Sequence, residues 1–169
     1  MTSEVDVSCD EGVSAPIDLR ELEADVALVF AEEEVTRPCS VSVSVVTDGR
    51  MRALNRAWRG QDRPTDVLSL GCEQPDDPDL APGEPCELGD VVLAPAYIER
   101  QAREFGTTYA DEFRLLLVHG LLHLLGYDHL DDAEAAIMEA REDALVVRIA
   151  TDAPIDPVTL TRHREGEDR

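Results

Sequence analysis

Apolar and polar residues alternate strictly over residues 40–46, Ser-Val-Ser-Val-Ser-Val-Val, the period of two that sends successive side chains to opposite faces of a strand. Residues 5–9 repeat that alternation. Residues 66–70 follow Pro64 and read as a third strand, and residues 88–94 are apolar enough for a strand buried on both faces, closed by Pro95. Between them the period changes. Leu19, Leu22, Val26, Val29 and Phe30 recur at helical spacing over residues 17–35, after a start signal of Ser14 and Pro16 and before a stop at Pro38. Thr47 and Asp48 supply an N-cap for a short helix over residues 49–58, with Met51, Leu54, Ala57 and Trp58 as its inner stripe. Pro95 opens a helix that runs to Gly106. Thr107 or Thr108 caps a central helix over 109–125, and Asp131 and Asp132 start a last one over 131–149. The order predicts an α+β (mixed α/β) fold, a small, mostly parallel four-stranded sheet packed with about five helices.

Two stretches break the pattern. Residues 71–87 hold six acidic residues, four prolines and no basic residue, which predicts a solvated loop inserted between strands. Residues 151–169 form a charged tail that contains His163. The rest, residues 1–150, is expected to be one domain, long enough to bury about 70% of the surface its unfolded chain exposes.

The chemistry concentrates in the central helix. His119, His123 and His129 are three of the four histidines in the chain. His119 and His123 stand one helical turn apart on one face, and Gly126 falls where a left-handed residue ends a helix, so the chain can bring His129 back toward the first two. Three neutral imidazoles with an open fourth position are the ligand set of a catalytic zinc site. The metal site is therefore placed on the central helix, with one Zn²⁺ per chain. The spacing is also that of the H-E-x-x-H-x-x-G-x-x-H zinc proteases, except that the second position is Gly120. Loss of a positioned general base typically costs about 10²–10⁴-fold, so an efficient peptidase is disfavoured.

Composition limits the setting. The sequence contains no run of eighteen apolar residues and starts polar and acidic, so no membrane partner is expected. The four cysteines contain no C-x-x-C pair and read as free thiols of a cytoplasmic protein. Against 37 acidic residues stand 15 basic ones, all arginine, for a net charge of −22. Such self-repulsion is relieved by salt. It fits a salty cytoplasm, and it equally fits an acidic protein in which arginine replaces lysine for coding reasons. Locally the sign reverses: Arg50, Arg52, Arg56, Arg59 and Arg63 face only Asp48 and Asp62. Guanidinium forks bind phosphate oxygens bidentately, but most of these arginines are expected to pair with carboxylates on a solvated helix face. Arg59 is the exception, placed between that helix and the Pro64-Thr65-Asp66 start of a strand.

His119-Gly-Leu-Leu-His-Leu-Leu-Gly-Tyr-Asp-His129 resembles the signature of the YbeY family of bacterial zinc-dependent endoribonucleases, or ribosomal-RNA maturation factors. The resemblance extends to Leu54-Asn-Arg-Ala-Trp-Arg59, to Pro64-Thr-Asp-Val-Leu-Ser69 and to Glu87-Leu-Gly-Asp-Val-Val-Leu-Ala-Pro95, in the family's order. It implies a hydrolase that cuts single-stranded RNA, matures the 3′ end of small-subunit (16S) ribosomal RNA and takes part in ribosome quality control. The small ribosomal subunit and its proteins are then partners, as is RNA itself. Zinc is implied at His119, His123 and His129. Catalysis is implied for His119 and Arg59, and Arg56, Arg59 and Arg63 are candidates for contact with RNA. Two features depart from the family: Leu70-Gly71 stands where an aromatic residue is usual, and the chain is acidic where a basic cleft is expected. The alternatives are a zinc peptidase with a base from outside the motif, or a non-catalytic ribosome assembly factor with structural zinc. Asp66 and Asp128 are the candidate bases or ligand-orienting carboxylates, and Ser69 and Thr65 are read as finishing their strand.

Overall fold

The structure is a computed structural model that describes residues 3–149; the tail at 151–169, with His163, lies outside them. Along the chain run β1 (Glu4–Cys9), α1 (Leu19–Glu32), β2 (Cys39–Val45), α2 (Asp48–Arg59), β3 (Val67–Gly71), β4 (Cys86–Leu93), α3 (Pro95–Phe105), α4 (Tyr109–Leu124) and α5 (Asp132–Ile149). The strands form one sheet in the order β1-β2-β4-β3. β1, β2 and β4 are parallel, and β3 closes one edge antiparallel to β4. This is the predicted α+β fold, with a four-stranded, mostly parallel sheet and five helices.

The period of two decides which residues face which layer. Val91 and Leu93 of β4 join Val41, Val43 and Val45 of β2 in the main core, together with α1, α4 and α5. Val92 points the other way, to a smaller cluster with Leu68 and with Met51 and Leu54 of α2. Thus α4 packs on one face of the sheet and α2 on the other. Helix α4 is buried at Glu112 and Phe113, from Leu115 to Leu122 and at Leu124, as expected where a helix is apolar on most of its circumference.

Three local expectations are corrected. Helix α1 is capped by Asp18, whose carboxylate accepts the Glu21 N–H at 2.8 Å, and not by the Ser14–Pro16 segment; Leu19, in its first turn, is exposed. In α2, Met51 and Asn55 are the buried residues, whereas Ala57 and Trp58 lie exposed. The acidic segment between β3 and β4 has no regular structure, but the strands take Gly71, Cys86 and Glu87 from the loop predicted over residues 71–87, and the segment is more than a solvated excursion. Leu80 is buried in the core, and the Arg37 guanidinium donates to the carbonyls of Pro75, Ala81 and Glu84 at 2.6–2.8 Å. Backbone carbonyls of a proline-rich loop find their donor in one side chain from before β2.

Gly89 sits where β4 carries an extra residue relative to β2. Its φ is +136°, and a Cβ there would lie 2.2 Å from the Leu70 carbonyl oxygen, so only glycine lets β3 pair at this point. The thiols are free, as predicted; Cys39 and Cys86 are register partners of β2 and β4, and burial pushes Cys86 up to about 12.

Asp25, on the inner face of α1, is buried and lies 3.3 Å from the Arg114 guanidinium of α4. Burial pushes its carboxyl up to about 6, and Arg114 offsets only part of that. An unfolded aspartate titrates near 3.9, so between about pH 4 and pH 6 the folded protein keeps a proton that the unfolded chain has released. The contribution of Asp25 to stability therefore falls as pH rises through that window and is constant above it. Asp25→Asn is expected to gain about 2 kcal/mol relative to wild type between pH 4 and pH 7, read by denaturant unfolding at the two pH values.

Candidate metal centre and cleft

Helix α4 starts at Thr108, whose hydroxyl accepts the Asp111 N–H at 3.2 Å, and carries His119 and His123 near its C-terminus. Gly126, at φ +106°, ends it; its N–H donates to the His123 carbonyl at 3.0 Å, and the chain turns back. The turn delivers His129. The ring centroids of His119 and His123 are 4.6 Å apart, those of His123 and His129 4.9 Å, and those of His119 and His129 5.8 Å. One ligand atom from each of the three lies within 4.8 Å of the others, and all three Nε2 atoms are buried.

The other nitrogens fix the tautomers. His123 Nδ1 lies 3.0 Å from the Tyr127 carbonyl; a carbonyl only accepts, so Nδ1 carries a proton and in the neutral ring Nε2 is the atom with the lone pair. His119 Nδ1 lies 2.7 Å from the buried Glu142 carboxylate of α5, which accepts in the same way. Around His129 the Asp128 carboxylate accepts the backbone N–H at 2.8 Å and leaves the ring alone. Buried Nε2 atoms, two of them on rings whose Nδ1 faces an acceptor, suit a borderline-soft divalent ion such as zinc. The predicted trio is thus brought together and could hold a metal ion.

Tyr127 is itself anchored. Its hydroxyl donates to Glu33, the C-cap of α1, at 2.5 Å, and Glu33 also accepts from Arg141, the neighbour of Glu142 on α5. The loop after β3 reaches the same region: Gln74 donates to the Leu124 carbonyl at 2.8 Å, satisfying a free carbonyl at the end of α4.

A cleft of about 320 Å³ opens beside the histidines. It lies along the sheet edge, between α2 on one face and α4 on the other, and every residue of β3 lines it together with Trp58, Arg59, His119, His123 and Leu124. Arg59 thus shares a cleft with two of the predicted ligands. Arg56 and Arg63 do not line it. Arg63 forks onto the Gln61 side chain at 3.0–3.1 Å, Arg50 pairs with Asp10 at 2.5 Å and Arg52 pairs bidentately with Asp62 at 2.8 and 3.1 Å, the pairing expected for most of the patch.

Asp66 is no cleft residue. It is fully buried, accepting the Val67 N–H at 2.7 Å and the Gln101 amide at 3.3 Å. Thr65 is buried beside it, and Ser69 donates to the Gly120 carbonyl at 3.2 Å, which ties β3 to α4. Gly120 proves to be a packing residue: a Cβ there would lie 2.7 Å from Val91 Cγ1. Where zinc proteases place their glutamate, this helix lies against the sheet.

Sequence reading missed Glu142, Glu33 and the exposure of Trp58. Glu142 had a signal, being a carboxylate within the buried stripe Met138, Leu145, Val146, Ile149 of α5. Its partner, 23 residues away, had none.

Fold and site together define a class, an α+β domain whose central helix and following turn gather three histidines able to hold a metal ion beside an arginine-bearing cleft. The family model described as Endoribonuclease YbeY matches residues 10–150, and the chain belongs to that family. A relative from Paramagnetospirillum magneticum, named Endoribonuclease YbeY, is 47% identical over 114 residues, 68% of this chain and 70% of its own. One of the same name from Halorhodospira halophila is 42% identical over 147 residues, 85% of this chain and 90% of its own. The solution structure of TM1509 from Thermotoga maritima superposes with a TM-score of 0.57 at 28% identity, covering 86% of this chain and 88% of that one. Among the described residues no helix is long and apolar enough to cross a membrane.

Proposed function

We propose that this chain is a metal-dependent endoribonuclease that cuts single-stranded RNA and acts on the 3′ end of small-subunit ribosomal RNA during ribosome maturation and quality control, in the cytoplasm. The observation that carries the reading is the shared cleft of Arg59, His119 and His123, which in a chain of 37 acidic residues has no carboxylate among its described lining residues. Among those described residues an anionic phosphodiester meets a guanidinium and no carboxylate. His119, His123 and His129 would hold Zn²⁺, and bound there the ion supplies Lewis acidity toward a phosphoryl oxygen. Glu142 and the Tyr127 carbonyl keep the His119 and His123 rings in the ligating tautomer. Arg59 binds the phosphate bidentately and stabilises the charge that develops on it. Arg56 and Arg63, outside the cleft, would at most meet the flanking strand.

The test is cleavage of a single-stranded RNA and of a structured ribosomal-RNA fragment by zinc-loaded protein, at low and at molar salt. Arg59→Ala is expected to lose about 10²–10³-fold in kcat/KM at unchanged zinc content, and Arg59→Lys to recover only part, since it keeps the charge and loses the fork. Zinc-loaded wild type that cuts neither RNA at either salt would sink the reading. A casein assay is expected to stay blank.

A further inference from the structure

Trp58 is the only tryptophan of the chain. It is 64% exposed, although the apolar pattern of α2 assigned it to the buried stripe. The helix sets it at the rim of the cleft next to Arg59, where Val67, Leu68, Leu70 and Leu124 supply an apolar lining. A large flat apolar face held in water beside a cation is what an unpaired nucleobase stacks on.

We propose that Trp58 is the stacking platform for one unpaired base of the RNA strand, adjacent to the phosphate that Arg59 holds. This rests on the endoribonuclease reading and adds the residue that selects unpaired substrate. Charge argues for it. On a molecule of net charge −22, with Arg50 and Arg52 already engaged by Asp10 and Asp62, attraction to the RNA backbone is confined to few contacts. Stacking is non-ionic, so it persists in salt that screens phosphate contacts. It also selects structure, because the faces of paired bases are already covered by their neighbours in a duplex, whereas those of a single strand are available.

The single tryptophan is its own reporter. Fluorescence of the zinc-loaded protein would be titrated with a phosphorothioate-protected nine-nucleotide adenylate strand, and with a strand of equal charge carrying abasic sites throughout. The adenylate strand is expected to quench and the abasic strand not. By anisotropy of a labelled adenylate strand, Trp58→Ala is expected to bind about ten- to a hundredfold more weakly, and Trp58→Phe within about threefold of wild type. Because the side chain is exposed, both variants should melt within a few degrees of wild type. The salt dependence of wild-type binding should be shallow, with a log–log slope of about −1, as for one or two phosphate contacts. Trp58→Ala binding like wild type, or equal quenching by the abasic strand, overturns the stacking role alone if wild type still cuts RNA. Wild type that neither binds nor cuts overturns the endoribonuclease reading and this proposal with it.

Discussion

Replacing His123 with alanine is expected to lower RNA cleavage by about 10²–10⁴-fold, the several kcal/mol that a Lewis acid contributes, while the metal-free protein melts within about 5 °C of wild type. His123 is the ligand to choose because it is half-buried and its Nδ1 faces a backbone carbonyl, that of Tyr127, and not a buried carboxylate. His119→Ala would confound the two effects. It empties a fully packed position and removes the imidazole that the buried Glu142 carboxylate faces, so it perturbs the fold as well as the metal site. The companion variant is Glu142→Ala. It keeps all three ligands and removes the acceptor on His119 Nδ1, so zinc affinity should fall about 10- to 100-fold, measured by competition with a chromophoric chelator. If His123→Ala retains both zinc and cleavage, the three-histidine centre is not the one used. If zinc affinity is unchanged in Glu142→Ala, the carboxylate only fills space.

Installing glutamate at position 120, which would complete the zinc-protease motif, is expected to destabilise the protein strongly and not to create a peptidase. The first carbon of the new side chain would already lie 2.7 Å from Val91 Cγ1 and 3.2 Å from the Ser69 hydroxyl. Valine is branched at Cβ and cannot swing aside. The carboxylate would follow into the interface between α4 and the sheet with no cation to meet it. Overpacking and an unpaired buried charge together place the loss at about 4 kcal/mol or more, a fall of roughly 8–16 °C in Tm for a chain of this size. Gly120→Ala separates the terms: overpacking against Val91 is partly offset by the roughly 1 kcal/mol that alanine gains over glycine in a helix, so a smaller loss is expected. A soluble Gly120→Glu protein with wild-type Tm would refute the packing account and reopen the peptidase alternative.

How much of this was legible in advance follows from the range over which each interaction acts. The strand at residues 40–46, the caps at Thr47 and Thr108, the stop at Gly126 and the grouping of His119, His123 and His129 depend on neighbours within a turn or two of chain. Periodicity and spacing record such neighbours, and the structure keeps them nearly to the residue. The order of strands in the sheet, and the faces taken by α2 and α4, depend on which long-range packing buries most apolar surface, and no window of sequence contains that comparison. For the same reason Trp58 read as core. Its helical spacing is that of a buried stripe, but the packing of α2 buries Met51 and Asn55 and leaves residue 58 exposed at the cleft. Gly120 stands in the motif where a base would be, and the contact with Val91 of β4 that requires glycine there lies outside any sequence window. The Glu142 contact joins residues 23 apart on two helices, and Glu33 reaches Tyr127 across 94. The sequence could name the three imidazoles. Their tautomers, and the cleft that sets Arg59 beside them, exist only once the sheet edge, α2, α4 and α5 have packed together.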